Sequence, residues 1–135
     1  MNKAKLIQLP KILDERGNLS FIEKGNEVDF DFKRVYWIYD VPGGEIRGGH
    51  AFREQKELIV ALSGSFDVVL HDGITESRYL LNRSFIGLYV PQMYWRSMQN
   101  FSTNAVAMVL ASTFYEESDY ILDFETYLKL KNKNA

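Results

Sequence analysis

The chain has 135 residues, a length suited to one domain, and at 46% hydrophobic and 14% aromatic it is globular rather than disordered. Its 16 basic and 18 acidic residues leave a net charge of −2, so no general field draws nucleic acid or a membrane surface, and any anion must be met by local arginines. Cysteine is absent, which removes disulfides and thiol chemistry and fits a reducing cytoplasm.

The N-terminal run MNKAKLIQLPKILDERG lacks the apolar stretch of a signal peptide, and no window approaches the ~20 apolar residues of a membrane span. LIQL (6–9) and LSFIE (19–23) read as strands on either side of the turn-forming DERGN (14–18). KRVYWIYD (33–40) is the richest strand candidate and is closed by the Pro-Gly of VPGG (41–44). Strand alternation puts Arg34, Tyr36 and Ile38 on one face and Val35, Trp37 and Tyr39 on the other, with either face able to point inward. IRGGHAF (46–52) and KELIVAL (56–62) come next. SFDVVLHD (65–72) turns at Asp72-Gly73 into ITESRYLL (74–81), and SFIGLYV (84–90), YWRSM (94–98) and NAVAMVLAS (104–112) follow.

About ten short strands at this spacing predict an all-β sandwich or barrel. The tail SDYILDFETYLKLK (118–131) predicts the one helix, capped by Ser118, and the closing KNKNA (131–135) is expected to fray. No repeat or linker interrupts the chain, so residues 1–135 are expected to form a single domain.

The informative run is GEIRGGHAFREQKELIVALSG (44–64). Gly44, His50, Glu57 and Gly64 stand in the register of the first cupin motif: Gly, five residues, His-x-His, four residues, an acid, six residues, Gly. Phe52 occupies the second histidine position. Residues 50 and 52 share one face of a strand, Glu57 lies on the next strand, and Gly64 makes the turn that follows. The fold expected from this resemblance is a cupin jelly-roll barrel with a short C-terminal helix.

Cupins commonly bind a metal through such imidazoles, but this chain has two histidines, His50 and His71, and none in the later VPQMYWRSMQN (90–100). His50 and Glu57 fall short of the usual three or four protein ligands, so no metal is expected. The plain alternative for His50 is a hydrogen-bonded strand histidine. Gly48 and Gly49 leave no side chain to pack in a strand and suggest a bulge or a close approach by a ligand. His71, next to the Asp-Gly turn, reads as a solvated loop residue.

With RGGHAF, KRVYWIYD, VALSGSFDVVLHDG and GLYVPQMYWRSMQNFS, the chain resembles the dTDP-4-keto-6-deoxyglucose 3,4-ketoisomerases, metal-free cupins related to the dTDP-sugar 3,5-epimerases. The resemblance runs from residue 11 to residue 121. It implies a homodimer whose barrel holds a dTDP-linked sugar and whose histidines move protons between C3 and C4 through an enediol, without a cofactor. His50 matches the first histidine of the family's Arg-Gly-x-His-Ala-His and Arg47 its arginine. Phe52 replaces the second histidine, and Arg96 stands where members often carry a histidine after the tryptophan. His50 is then the acid–base group, alone or with a tyrosine such as Tyr36 or Tyr39, and Arg96 stabilises the enediolate oxygen electrostatically.

For the diphosphate, Arg47, Arg96 and Arg16 are the leading candidates, since a guanidinium can bridge two phosphate oxygens. Trp95, beside Arg96, is the candidate for stacking on a base or sugar. Glu57 either hydrogen-bonds a ligand hydroxyl or is simply a paired strand charge. Two functions remain open: a ketoisomerase, or a catalytically reduced cupin that binds a nucleotide sugar as a recognition or partner module.

Overall fold

Runs of β-branched and aromatic residues punctuated by Gly, Asn, Asp and Pro make this a chain of short strands. The computed structural model describes residues 3–133 and places twelve strands among them. In order these are β1 (Lys5–Gln8), β2 (Lys11–Ile12), β3 (Leu19–Ser20), β4 (Arg34–Ile38), β5 (Arg47–Phe52) and β6 (Glu57–Ser63). They continue as β7 (Phe66–His71), β8 (Glu76–Leu81), β9 (Ile86–Val90), β10 (Trp95–Gln99), β11 (Val106–Ala111) and β12 (Tyr120–Ile121), before helix α1 (Phe124–Lys133). One five-stranded sheet has the order β1-β9-β6-β11-β4 and a second the order β12-β5-β10-β7-β8, while β2 and β3 form a separate hairpin. The pairings within both five-stranded sheets are antiparallel.

The two sheets enclose a common core, as a jelly-roll barrel requires. Ile59, Leu88, Val90 and Val109 from the first sheet meet Phe66, Val68, Leu70 and Met98 from the second. Each such side chain contributes about 1.5–3 kcal/mol by leaving water. Alternation sends Leu58, Val60 and Tyr89 to the outer face of the first sheet, where Leu9, Val28 and Phe30 cover them. On the outer face of the second sheet, Ala51 and Ile121 pack with Tyr127 of α1, and Trp95 and Phe124 border them. Among the described residues no helix is long and apolar enough to cross a membrane.

The tail departs from the sequence expectation. The helix starts at Phe124 and is capped by Asp123, whose Oδ2 accepts from the Thr126 N–H and hydroxyl, each at 2.9 Å. Ser118 instead lies in a 3-10 turn, Glu117–Asp119, and Tyr120–Ile121 pairs with Phe52–Ala51 as the edge of the second sheet. Long-range contacts override the local helical pattern here. Asp119 accepts the Glu54 and Gln55 N–H groups at 2.7 and 3.1 Å, and Arg53 donates to the Ser118 and Tyr120 carbonyls. Of KNKNA, residues 131–133 belong to α1 and residues 134–135 lie outside the described residues.

His71 also differs from expectation. It is the last residue of β7, half-buried, with its ring edge-on to Phe124 and its Nδ1 accepting the Gly73 N–H at 3.0 Å.

Candidate active site

The double glycine produces a bulge. Arg96 of β10 pairs with His50 and Met98 with Arg47, so Ser97 alone faces Gly48 and Gly49. Gly48 has φ +75°, a left-handed conformation that glycine adopts without strain. Three residues apart on a regular strand, Arg47 and His50 would face opposite ways. The extra residue turns both toward the same pocket, which Arg47, Gly48 and His50 line together. A Cβ at residue 48 would stand 2.7 Å from Arg96 Nη1, so the site also requires glycine for space.

Beyond the bulge, alternation points His50 and Phe52 into the barrel, with Arg96 and Tyr120 across from them on the neighbouring strands. The facing sheet contributes Arg34, Tyr36 and Ile38 from β4, and Glu57 opens β6. The inward face of β4 is therefore the one bearing Tyr36, while Val35, Trp37 and Tyr39 are exposed.

Arg96 and Glu57 are 2% and 1% exposed, which makes their pairing obligatory. Arg96 Nε donates to Glu57 Oε1 at 2.5 Å and Nη2 to Oε2 at 3.2 Å. Tyr36 donates its hydroxyl proton to Glu57 Oε2 at 2.5 Å and accepts from Arg96 Nη2 at 2.8 Å. Gln55 Nε2 donates to the same Oε2 at 2.8 Å, and its Oε1 accepts from Arg34 Nη2 and the Thr113 hydroxyl.

Burial alone would raise the Glu57 carboxyl, but the Arg96 charge and the donated hydrogen bonds outweigh it and hold the group below its usual range. Burial would likewise discharge Arg96, yet Glu57 keeps it charged. Burial raises the Tyr36 phenol, and Glu57 adds to this, against the opposing pull of Arg96, so the phenol keeps its proton.

His50 has a different environment. Burial and then the nearby Arg96 charge lower its pKa to about 4, only partly opposed by Glu57. At neutral pH the imidazole is uncharged and able to accept a proton. Its ring packs against Phe52 at 4.8 Å and Tyr120 at 5.0 Å. Among the described residues, the buried side-chain nitrogens or oxygens without a hydrogen-bond partner are Arg34 Nε, His50 Nε2 and Arg96 Nη1. All three residues line one pocket of about 400 Å3, with Tyr36, Trp37, Ile38, Arg47, Gly48 and Tyr120. A buried donor or acceptor left unpaired costs about 1–3 kcal/mol, so three around one cavity mark the place where a polar ligand would complete the structure.

The structure thus brings together His50, Tyr36, Arg47, Glu57 and Arg96. Glu57 takes the second of its two readings, as the counter-ion of Arg96 and the hub of the network. Arg16 is elsewhere: it lies between β2 and β3, exposed, and pairs with Asp14 at 2.9 Å. Trp95 is not in the pocket either. As the immediate neighbour of Arg96 on a strand it must face the other way, and it packs on Phe124 and Tyr127 beneath α1. Two groups, Gln55 of the buried network and Tyr120 of the pocket, were not singled out in the sequence. Gln55 gave no signal in the polar run REQKE, and Tyr120 was hidden inside a helical pattern.

Among the described residues no three His, Cys, Asp or Glu side chains gather as a metal site would need. The Glu57 oxygens are already occupied by Arg96, Tyr36 and Gln55.

Residues 2–132 match the protein family described as FdtA: WxcM-like, C-terminal. The chain is 42% identical over 125 residues to a TDP-4-oxo-6-deoxy-alpha-D-glucose-3,4-oxoisomerase of Aneurinibacillus thermoaerophilus, covering 93% of this chain and 90% of that one. It superposes with TM-score 0.93 on a 3,4-ketoisomerase of Helicobacter canadensis, at 38% identity, covering 98% of this chain and 99% of the other. It also superposes with TM-score 0.94 on the sugar 3,4-ketoisomerase QdtA of Thermoanaerobacterium thermosaccharolyticum in complex with TDP, at 34% identity, covering 97% and 96%.

Proposed function

The chain belongs to the FdtA family, and from that premise we propose that it is a nucleotide-sugar 3,4-ketoisomerase acting on a dTDP-linked 4-keto-6-deoxyhexose. The observation that supports this most directly is the pairing of two unsatisfied groups in one pocket: the neutral base His50 Nε2 and the charged donor Arg96 Nη1. Moving a carbonyl from C4 to C3 needs both. A base takes the proton from C3 while a fixed cation meets the negative charge that develops on O4. The resulting enediolate collapses toward C3 when the imidazolium returns its proton to C4.

The surroundings suit these roles. Arg96 cannot act as a base, because Glu57 keeps it charged, but the same pairing fixes Nη1 in place before substrate arrives. Burial, and then the Arg96 charge, keep His50 unprotonated and ready. Arg47 lies at the rim, shared between this pocket and a neighbouring one lined by Trp37, Tyr39, Pro42 and Glu45. A diphosphate held by Arg47 would run toward that second pocket and leave the sugar over His50.

A homodimer is part of the same reading, supported by the exposed apolar row of Val35 and Trp37 on β4, an edge strand, and Tyr39 just after it. The cysteine-free composition supports a reducing cytoplasm as its location.

The test is conversion of dTDP-4-keto-6-deoxyglucose to its 3-keto isomer, followed by NMR, with the wild type and His50→Asn. The wild type converts it, and the variant binds TDP without turnover. Binding of TDP by a wild type that converts no 4-keto nucleotide sugar would favour the recognition module instead.

A further inference from the structure

The isomerisation proposed above moves two protons. One leaves C3 and one arrives at C4; separately, the C3 hydroxyl loses a proton and the C4 oxygen gains one. His50 serves the carbon atoms, and the oxygen atoms need a second group that both gives and takes a proton.

Most neighbours of His50 cannot fill that role. Phe52, on the same face of the strand, has no titratable atom. Glu57 has both oxygens engaged and is held ionised. Arg96 stays charged and only donates. The Tyr36 hydroxyl is locked between Glu57 Oε2 and Arg96 Nη2.

Tyr120 remains. It is the Cα partner of Phe52 across β5 and β12, so it faces the same side of the sheet. Its ring lies 4.7 Å from Phe52 and 5.0 Å from His50, and it lines the pocket with His50, Arg96 and Tyr36. Among the described residues its hydroxyl has no hydrogen-bond partner. The residue is held firmly, since Ile121 beside it is buried and Arg53 holds its carbonyl at 3.1 Å.

We propose that Tyr120 is a catalytic residue, the acid–base group that carries the proton between the two substrate oxygens; this rests on the ketoisomerase reading. As His50 removes the C3 proton, the electrons of the C3–H bond form the C3=C4 double bond of the enediol, and the π electrons of the C4 carbonyl move to O4 and take the Tyr120 proton. The phenolate then removes the proton from the C3 hydroxyl while the imidazolium protonates C4. A C3 carbonyl forms, and His50 and Tyr120 both end as they began. Arg96 meets the negative charge developing on O4 until the Tyr120 proton arrives, and, within electrostatic reach of Tyr120, then steadies the transient phenolate.

Tyr120→Phe removes one oxygen atom and leaves the ring packing intact. It is expected to lower kcat by about 10²–10⁴-fold, the usual contribution of a positioned acid–base group, with the TDP-induced thermal shift unchanged. Adding Phe52→His to that variant places an imidazole beside the empty position and is expected to recover turnover. A wild-type kcat in Tyr120→Phe overturns the proposal, as does a loss that tracks lost TDP binding or is not recovered in the double variant. A wild type with no turnover at all overturns both this proposal and the ketoisomerase reading, which separates that failure from the failure of Tyr120 alone.

Discussion

Glu57→Gln tests whether the buried ion pair holds the site together. The carboxylate accepts four hydrogen bonds, from Arg96 Nε, Arg96 Nη2, the Tyr36 hydroxyl and Gln55 Nε2. A carboxamide has one accepting oxygen, so its NH2 must face donors, and the Arg96 guanidinium, 2% exposed, loses its counter-charge. Removing one partner of a buried pair costs about 3–5 kcal/mol. Against a total of roughly 5–15 kcal/mol that is a large fraction. At roughly 3–4 °C per kcal/mol for a domain of this size, the fall in Tm is on the order of 10–20 °C. Urea denaturation and calorimetry measure it. Replacing both partners, Glu57→Leu with Arg96→Met, removes the stranded charge and is expected to restore much of the stability while abolishing turnover. A loss below about 1 kcal/mol in Glu57→Gln, the size of an exposed pair, would refute the argument.

Three further outcomes follow from the same geometry. His50 stays neutral in the folded protein down to about pH 4 but accepts a proton near pH 6.5 once unfolded. Its folded pKa is depressed, so the unfolded state binds more protons between those values: stability is unaffected above pH 6.5 and falls by up to about 3 kcal/mol toward pH 4. His50→Gln lacks this component, and parallel pH–stability curves for the two proteins would contradict it. Gly48→Ala forces a left-handed alanine, which costs about 1–2 kcal/mol, and drives a methyl against Arg96 Nη1, so both Tm and turnover drop. Gly49→Ala, whose nearest neighbour is Trp95 at 3.8 Å, is expected to do much less, and equal effects at the two positions would sink the bulge argument. Tyr36→Phe strips a donor from Glu57 and an acceptor from Arg96, and is expected to destabilise by about 1–3 kcal/mol in urea denaturation.

The architecture was legible because strand signals are local. KELIVAL and SFDVVLHD carry their own β-branched pattern, and Asp72-Gly73 fixes its own turn, with Asp72 Oδ1 accepting the Ile74 and Thr75 N–H groups at 2.8 Å. The register of Gly44, His50, Glu57 and Gly64 is enough to mark His50 of the pocket and Glu57 of the network behind it. What the sequence withheld depends on distant pairing. Tyr120–Ile121 looks helical and becomes a strand because Phe52–Ala51 offers it an edge. Trp95 and Arg96 look like one binding pair, yet adjacent strand residues must part to opposite faces. Arg16 drew its rank from lying in the DERGNL run that resembles the family, and in the structure it pairs with Asp14. The Gly48–Gly49 bulge was one of two readings of that pair, and only the Arg96–His50 and Met98–Arg47 partners select it.

The central claim is that His50, neutral and unpaired beside Arg96, takes the proton from C3. Incubating dTDP-4-keto-6-deoxyglucose with the protein in D2O and following the C3 proton by NMR tests it most directly. The account predicts that the C3–H signal is lost with the wild type as isomer forms, and persists with His50→Asn although that variant still binds TDP. Unchanged loss of the C3–H signal in His50→Asn would contradict it.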